Sequence, residues 1–239
     1  MKYKHLFWTG GWDSTFRVCQ LIIDKKQLVQ PIFVTSMRKA GGERLNIVHE
    51  LQAIDLIRYQ LENSFPEAST RLKRLKIISS AKTNSKLDMP KGPGLTEGWQ
   101  YSVLGSIAAK WKEPIELCIE KSESDHNEVG NSIIPYAKKI DDVYRLEDDL
   151  PQDKLDKLST KGLVNFIHFH FPLLHTSRSK MKELSKLSGY YNILKMTWSC
   201  LRFCPDNSQC GKCFSCKGRK RDGVWFEKPF LNHEPLNSN

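Results

Sequence analysis

A doubly wound parallel α/β sheet with a small C-terminal lobe is the fold class predicted by this 239-residue sequence, on three observations. Strand-like and helix-like patterns alternate from residue 3 to residue 189. Two adjacent glycines stand at the first strand-to-helix junction, in FWTGGWDSTF (7–16). Five of the seven cysteines crowd into residues 200–216, beyond the last alternation.

The elements follow in order. YKHLFW (3–8) is a short apolar strand, and DSTFRVCQLIIDKK after it carries Phe16, Cys19, Leu21 and Ile23 at helical spacing. PIFVTS (31–36), β-branched and opened by Pro31, is a second strand. Leu45, Val48, Leu51, Ile54 and Leu56 mark one face of a long amphipathic helix. LKIIS (75–79) is a third strand, and residues 80–97, rich in Lys, Ser, Gly and Pro, form a long loop beside a site. WQYSVLGSIAAKWK is a helix whose Gly105, Ser106, Ala108 and Ala109 permit close packing, and IELCIE (115–120) is a fourth strand. IIPYAKKI and DKLDKLST suggest short helices, and LVNFIHFHFPLL alternates as a fifth strand ending at Pro172. TSRSKMKELSKLSG opens on a Ser/Thr cap and closes at Gly189, both helix signals. A parallel sheet built this way carries its site at the carboxyl ends of the strands.

Lys and Arg outnumber Asp and Glu by 37 to 27, a net charge of +10 that suits nucleotides, nucleic acid or an acidic partner surface. The basic residues are scattered, so simple solubility is the competing account. No apolar run is long enough to span a membrane, and the first is too short for a secretory core, so a cytoplasmic location without membrane contact is expected. An odd, clustered set of cysteines then points to metal ligation rather than disulfides.

TGGWDS at the end of the first strand puts backbone N–H groups and a helix N-terminus where they can hold an anion. There is no GxxxxGK[ST] and no GxGxxG, so neither the lysine-bearing phosphate loop nor the dinucleotide fingerprint is present. Thr9-Gly10-Gly11-Trp12-Asp13-Ser14 resembles the PP-loop, SGGxDS, of the ATP pyrophosphatase superfamily, with Thr9 in place of serine. The resemblance implies an adenine nucleotide alpha hydrolase-like fold. It also implies ATP bound by residues 9–15, that is Thr9, Gly10, Gly11, Trp12, Asp13, Ser14 and Thr15, with pyrophosphate leaving as a substrate is adenylated. Ser14 would meet phosphate, and Asp13 would lie near Mg²⁺ or orient the loop.

Cys200, Cys210, Cys213 and Cys216 are spaced C-x9-C-x2-C-x2-C, with Cys204 a fifth candidate. Four thiolates at such spacing suit a closed structural Zn²⁺ site; an iron–sulfur cluster is the rival. TWSC…CGKCxxC at the end of a PP-loop chain resembles the 7-cyano-7-deazaguanine synthase family, in which the four matching cysteines bind zinc. Phe171-Pro172-Leu173 and Ser179-Lys180 resemble that family's strand before the zinc site and its phosphate-contacting lysine, which makes Lys180 the third implied catalytic residue after Asp13 and Ser14. The implied organisation is a PP-loop domain over 1–190 and a zinc-binding lobe over 191–239. The implied reaction takes a 7-carboxy-7-deazaguanine and ammonia to an amide and then a nitrile. Two family elements are altered, at Thr96–Gln100 and Glu123–Glu128, both belonging to the deazaguanine pocket. A deazapurine-conjugating enzyme of an antiviral defence operon, acting on a protein or nucleic acid, therefore stays open, as do an idle nucleotide sensor or RNA-binding module and a homodimer.

Other residues divide between roles. His168 and His170 share a strand face near His175, as a metal pair or as satisfied histidines. Trp8, Trp12, Trp99 and Trp111 are packing residues or stacking platforms, Trp12 being nearest the loop. KGRKRDG (217–223) is a solvated segment or an RNA contact, and Cys19 and Cys118 stand alone.

Overall fold

The computed structural model describes residues 2–35, 46–79, 99–121, 128–146, 151, 153, 163–202 and 206–229. Strands β1 (Lys4–Phe7), β2 (Val29–Val34), β3 (Lys76–Ile78), β4 (Ile115–Glu116) and β7 (Phe169–His170) form a parallel sheet in the order β3-β2-β1-β4-β7. The chain builds outward from β1 through β2 to β3, then returns to place β4 on the other side of β1. That reversal opens a crevice at the carboxyl ends of β1 and β4, where α/β sheets bind ligands.

The helices are α1 (Trp12–Cys19), continued by a π-helical turn over Gln20–Asp24, then α2 (Ile47–Ser64), α3 (Pro66–Ser69), α4 (Trp99–Lys110), α5 (Glu128–Ile133), α6 (Arg178–Leu187), α7 (Tyr191–Leu194) and α8 (Phe214–Arg221). Side chains alternate across the strands and split the core in two. Leu6, Trp8 and Phe33 face residues of α1, α2, α6 and α7. Phe7, Ile32 and Val34 face α4 and the aromatic residues of β7. This is the doubly wound arrangement predicted from the alternation. Cys200, Cys213, Cys216 and Val224 belong to the first cluster, so the cysteine-bearing segment packs directly on α1 and α2.

Two glycines are required by close approach. Gly10 has φ +69°, and a Cβ there would meet the Glu50 carbonyl oxygen at 2.9 Å. A Cβ on Gly105 would lie 2.5 Å from the Asn165 carbonyl oxygen, so the small-residue face of α4 packs on the turn Leu163–Phe166.

Several elements differ from the sequence reading. IIPYAKKI is a 3₁₀ turn, Ile134–Tyr136, followed by strand β5 (Ala137–Ile140), which pairs antiparallel with β6 (Val143–Leu146). The two-residue turn Asp141-Asp142, with Asp141 at φ 54°, is the hairpin signal, and the apolar residues at 140, 143 and 146 fit it as well as they fit a helix. LVNFIHFHFPLL is a strand only at β7; Leu163–Phe166 coils so that Leu163 and Phe166 enter the core beside Phe169 and Phe171. On α2 the buried face runs through His49, Ala53, Ile57 and Leu61, with Glu50 and Ile54, and Val48 is 55% exposed. The face is rotated because polar His49 and Glu50 turn inward toward the glycine loop.

The loop over 80–97, the elements at Thr96–Gly98 and 123–127, most of DKLDKLST, the Trp99 side chain and Cys204 lie outside the described residues. Among the described residues no helix is long and apolar enough to cross a membrane.

Candidate functional site

The glycine loop leaves β1 at Phe7, and its path is fixed from both sides. The Trp8 amide donates to the Ile32 carbonyl (2.8 Å), and the Gly10 carbonyl accepts from the Trp198 amide (2.9 Å). Gly11, extended at φ −78° and ψ 166°, is the N-cap of α1 and offers no side chain to cap it. The first N–H groups of a helix have no partner within the helix, so those of α1 are placed to receive an anion.

The loop side chains have separate duties. Thr15 is fully buried and its hydroxyl accepts from Trp8 Nε1 (3.0 Å). Trp12 is buried as well, stacked on Phe226 at 6.3 Å and edge-on to Tyr191. Trp12 and Thr15 can therefore offer a ligand only their backbone. Ser14 Oγ makes a long hydrogen bond of 3.4 Å to the Gly11 carbonyl.

Asp13 meets charge from three other elements. Arg178, first residue of α6, sends Nε toward Asp13 Oδ1 (3.4 Å), Nη2 to Glu120 Oε1 (2.7 Å) and Nη1 to Asp222 Oδ2 (2.9 Å). Glu120 follows β4, so Asp13 and Glu120 flank the crevice at the switch between β1 and β4. Burial and the neighbouring Asp13 push Glu120 up to about 7, outweighing the opposing pull of Arg178. Arg178, though desolvated, is held above the usual guanidinium range by Asp13 and Glu120. Ser177 caps α6 and sets its direction, its hydroxyl accepting from the Lys180 amide (3.3 Å). Lys180 itself is half exposed and paired with Glu183 at 2.9 Å. The basic residue that the structure brings to Asp13 is Arg178, two positions earlier.

Behind the loop, segment 197–200 forms a floor. His49 stacks on Trp198 (4.2 Å between rings), and Asn46 donates to the Cys200 carbonyl (3.0 Å) and to Glu50 (2.9 Å). Arg219, from α8, is 1% exposed and donates to Thr197 Oγ1 (2.8 Å), Ser199 Oγ and the Val224 carbonyl (3.1 Å).

Cys200, Cys210, Cys213 and Cys216 bring their Sγ atoms within 4.8 Å of one another, a group that could hold a metal ion. Cys210 and Cys216 Sγ are 4.0 Å apart, too far for a disulfide. Zinc–sulfur bonds of about 2.3 Å set the thiolates of a tetrahedron about 3.8 Å apart, so the group is close to the size a single zinc ion requires. An iron–sulfur cluster holds its cysteines farther apart. Backbone amides point at the sulfurs: Arg202 and Cys210 at Cys200 Sγ (3.4 Å each), and Cys213 at Cys210 Sγ (3.3 Å). Against its desolvation, the amides of Lys212 and Cys213 bring Cys210 down to about 6, while burial pushes Cys216 up to about 11.

The other sequence candidates are dispersed. Among the described residues no histidine joins a group of three potential metal ligands. His168 is exposed in a turn, and His175 packs against Tyr144, where burial lowers its pKa. Trp111 sits against His5 and Lys76. In KGRKRDG, Lys220 covers Trp225 (4.1 Å) and Arg221 pairs with Asp222 (3.1 Å). Cys19 and Cys118 carry thiols that burial pushes up. Sequence reasoning missed Glu120, Arg178, Asp222 and Arg219. The available signals were position: directly after the strand at the switch point, at the first turn of the helix after the last strand, and immediately beyond the cysteines.

Residues 152–224 match the family described as queuosine biosynthesis protein QueC. That span is less than a third of the chain; it holds the four cysteines, Arg178, Arg219 and Asp222 and does not reach the glycine loop. Comparisons with curated proteins and with solved structures returned no match. The matched region is thus similar to QueC; it carries β7, the last strand of the parallel sheet, and the four-cysteine cluster, and the other four strands precede it.

Proposed function

We propose that the protein binds Mg·ATP at the glycine loop and adenylates a carboxylate, releasing pyrophosphate, in the manner of 7-cyano-7-deazaguanine synthases. The observation that carries this reading is the uncapped start of α1, with Gly10 at φ +69°, facing Asp13, Arg178 and Glu120 across the switch-point crevice. The N–H groups at the start of α1, which have no partner within the helix, and Arg178 supply positive potential for the β- and γ-phosphates, and the loop needs no lysine of its own. Asp13 fits the hard oxygen donors that Mg²⁺ prefers, and that ion would neutralise phosphate charge.

An oxygen of the acid attacks the α-phosphorus, and the bond to the β-phosphate oxygen breaks, leaving an acyl-adenylate. Ammonia attacks the acyl carbon, AMP departs, and the amide results. Glu120, protonating near neutrality, is suited to take the proton of the incoming amine. A second adenylation, now at the amide oxygen, releases pyrophosphate again, and AMP leaves with that oxygen as the nitrogen gives up both of its protons to form the nitrile. Positioning and electrostatic stabilisation supply most of the rate. Cys200, Cys210, Cys213 and Cys216 would hold zinc, which in such a site would serve structure rather than the reaction.

The test supplies zinc-loaded protein with Mg·ATP, 7-carboxy-7-deazaguanine and ammonium. AMP and pyrophosphate are expected from the wild type, and neither from Asp13→Ala at equal zinc content. Undiminished turnover in that variant contradicts the reading.

A further inference from the structure

Arg219 is a buried cation that meets no carboxylate within ion-pair distance among the described residues. Its hydrogen bonds go to two hydroxyls and a backbone carbonyl, all neutral, and its guanidinium lies over the Trp12 ring at 5.3 Å. Burying a charge without compensation costs several kcal/mol, so buried charges are retained where an opposite charge is supplied nearby. One turn earlier on α8 stands Cys216, a member of the four-cysteine group. Asp13, Cys216 and Glu120 act on the guanidinium from beyond ion-pair distance, and four thiolates around one divalent ion would keep a net negative charge that adds to this compensation from the side of α8.

The other side of Arg219 leads to the glycine loop. Its hydroxyl acceptors, Thr197 and Ser199, flank Trp198, whose amide holds the Gly10 carbonyl. A Cβ placed on Gly11 would meet the Trp198 carbonyl oxygen at 3.6 Å and Ser199 Oγ at 3.9 Å, so this floor supports the loop at close range. Trp12, under the guanidinium, is the first residue of α1. One side chain thus touches the floor and the helix start that together shape the anion site.

We propose that Arg219 is a positioning residue that ties the tetrathiolate metal centre to the glycine loop, so that metal loading sets the geometry of the loop. The net negative charge of the loaded centre keeps Arg219 in place, Arg219 keeps Thr197 and Ser199 in place, and through Trp198 and Trp12 they fix the amides of residues 10–14. In return, Arg219 strengthens metal binding from outside the ligand set, as groups beyond the direct ligands do. The consequence for nucleotide affinity rests on the function proposed above; the link between metal and loop does not.

The test measures two quantities on the full chain: zinc affinity by competition with a chromophoric chelator, and hydrogen exchange of loop residues 9–15. Removing zinc from the wild type is expected to speed exchange in the loop. Arg219→Met is expected to bind zinc at full stoichiometry but about tenfold or more weakly, and to show the fast-exchanging loop even with zinc saturating. Arg219→Lys should keep most of the zinc affinity, because the charge remains, yet lose loop protection, because an ammonium cannot span three acceptors in a plane. Ser199→Ala should loosen the loop at unchanged zinc affinity, and with the lysine variant it decides the matter if Arg219→Met does not fold. Wild-type zinc affinity and loop exchange in Arg219→Met, or a wild-type loop indifferent to zinc removal, would overturn the proposal. Failure of every form to bind ATP counts against the proposed function alone, since neither readout involves nucleotide.

Discussion

At the carboxyl end of α1, Arg17 is closed off by Glu116 in a two-pronged ion pair of 2.7 and 2.8 Å, both side chains 2% exposed. At the amino end, Asp13 shares Arg178 with Glu120 and Asp222, at distances of 3.4, 2.7 and 2.9 Å, and Arg178, Asp13 and Asp222 remain about a fifth exposed while Glu120 is 9% exposed. The first arrangement balances two cations, Arg17 and Lys25, with two carboxylates, Glu116 and Asp142, and excludes water from the Arg17–Glu116 pair. The second sets three carboxylates around one bridging guanidinium, with Arg221 reaching only Asp222 from the surface. Charge balance with complete burial is what an internal strut needs, and it pins α1 to β4. Excess charge, partial exposure and a carboxyl pushed toward neutrality are what a ligand site retains until its ligand arrives.

The largest effect should come from breaking the closed end. Glu116→Ala strands Arg17 inside the protein and is expected to cost about 3–5 kcal/mol of stability, read from denaturant unfolding. Replacing Arg17 and Glu116 together by apolar residues of similar volume should recover much of that loss. A loss below 1 kcal/mol would erase the contrast.

Breaking the open end should cost activity. On the proposed function, Arg178→Ala removes the cation nearest the reacting phosphates and should lower kcat about 100- to 1,000-fold, with Arg178→Lys recovering part of it. Steady-state AMP formation checks this.

The pH response distinguishes the ends next. Glu120 is raised from 4.5 to about 7 in the folded protein, so between those values the folded state holds a proton that the unfolded chain has released. Stability contributed by Glu120 is therefore present at the acid side of that window and falls as pH rises through it. Glu120→Gln should flatten the decline in unfolding free energy measured from pH 4.5 to 7.

The smallest effect belongs to Lys180. Its exposed pairing with Glu183, screened by solvent, makes Lys180→Ala worth about 0.5 kcal/mol or less in stability, and AMP formation should stay within about twofold of wild type. A loss matching that of Arg178→Ala would move the phosphate contact back to Lys180.

The same contrast explains what the sequence could disclose. The sheet was legible because apolar runs and helical periods alternate, and the glycine loop and cysteine group were legible because their spacing is local. The hairpin β5–β6 was not, since AKKIDDVYRL satisfies either period until the turn at Asp141 is recognised. The rotated face of α2 escaped for a related reason: His49 and Glu50 are buried because the loop and Trp198 lie over them, which no pattern within the helix encodes. Glu120, Arg178, Arg219 and Asp222 come from separate segments and meet only in the fold, so their shared role is a property of topology. Lys180 and Arg178 differ by two positions on one helix, enough to send one outward and the other to Asp13.

The central claim is that a carboxylate oxygen attacks the α-phosphorus of ATP held at the glycine loop. It is tested most directly by running the reaction with 7-carboxy-7-deazaguanine that carries heavy oxygen in its carboxylate, and weighing the products by mass spectrometry. The account predicts heavy oxygen in AMP and none in pyrophosphate. AMP formed without the label, or label appearing in inorganic phosphate, would contradict it.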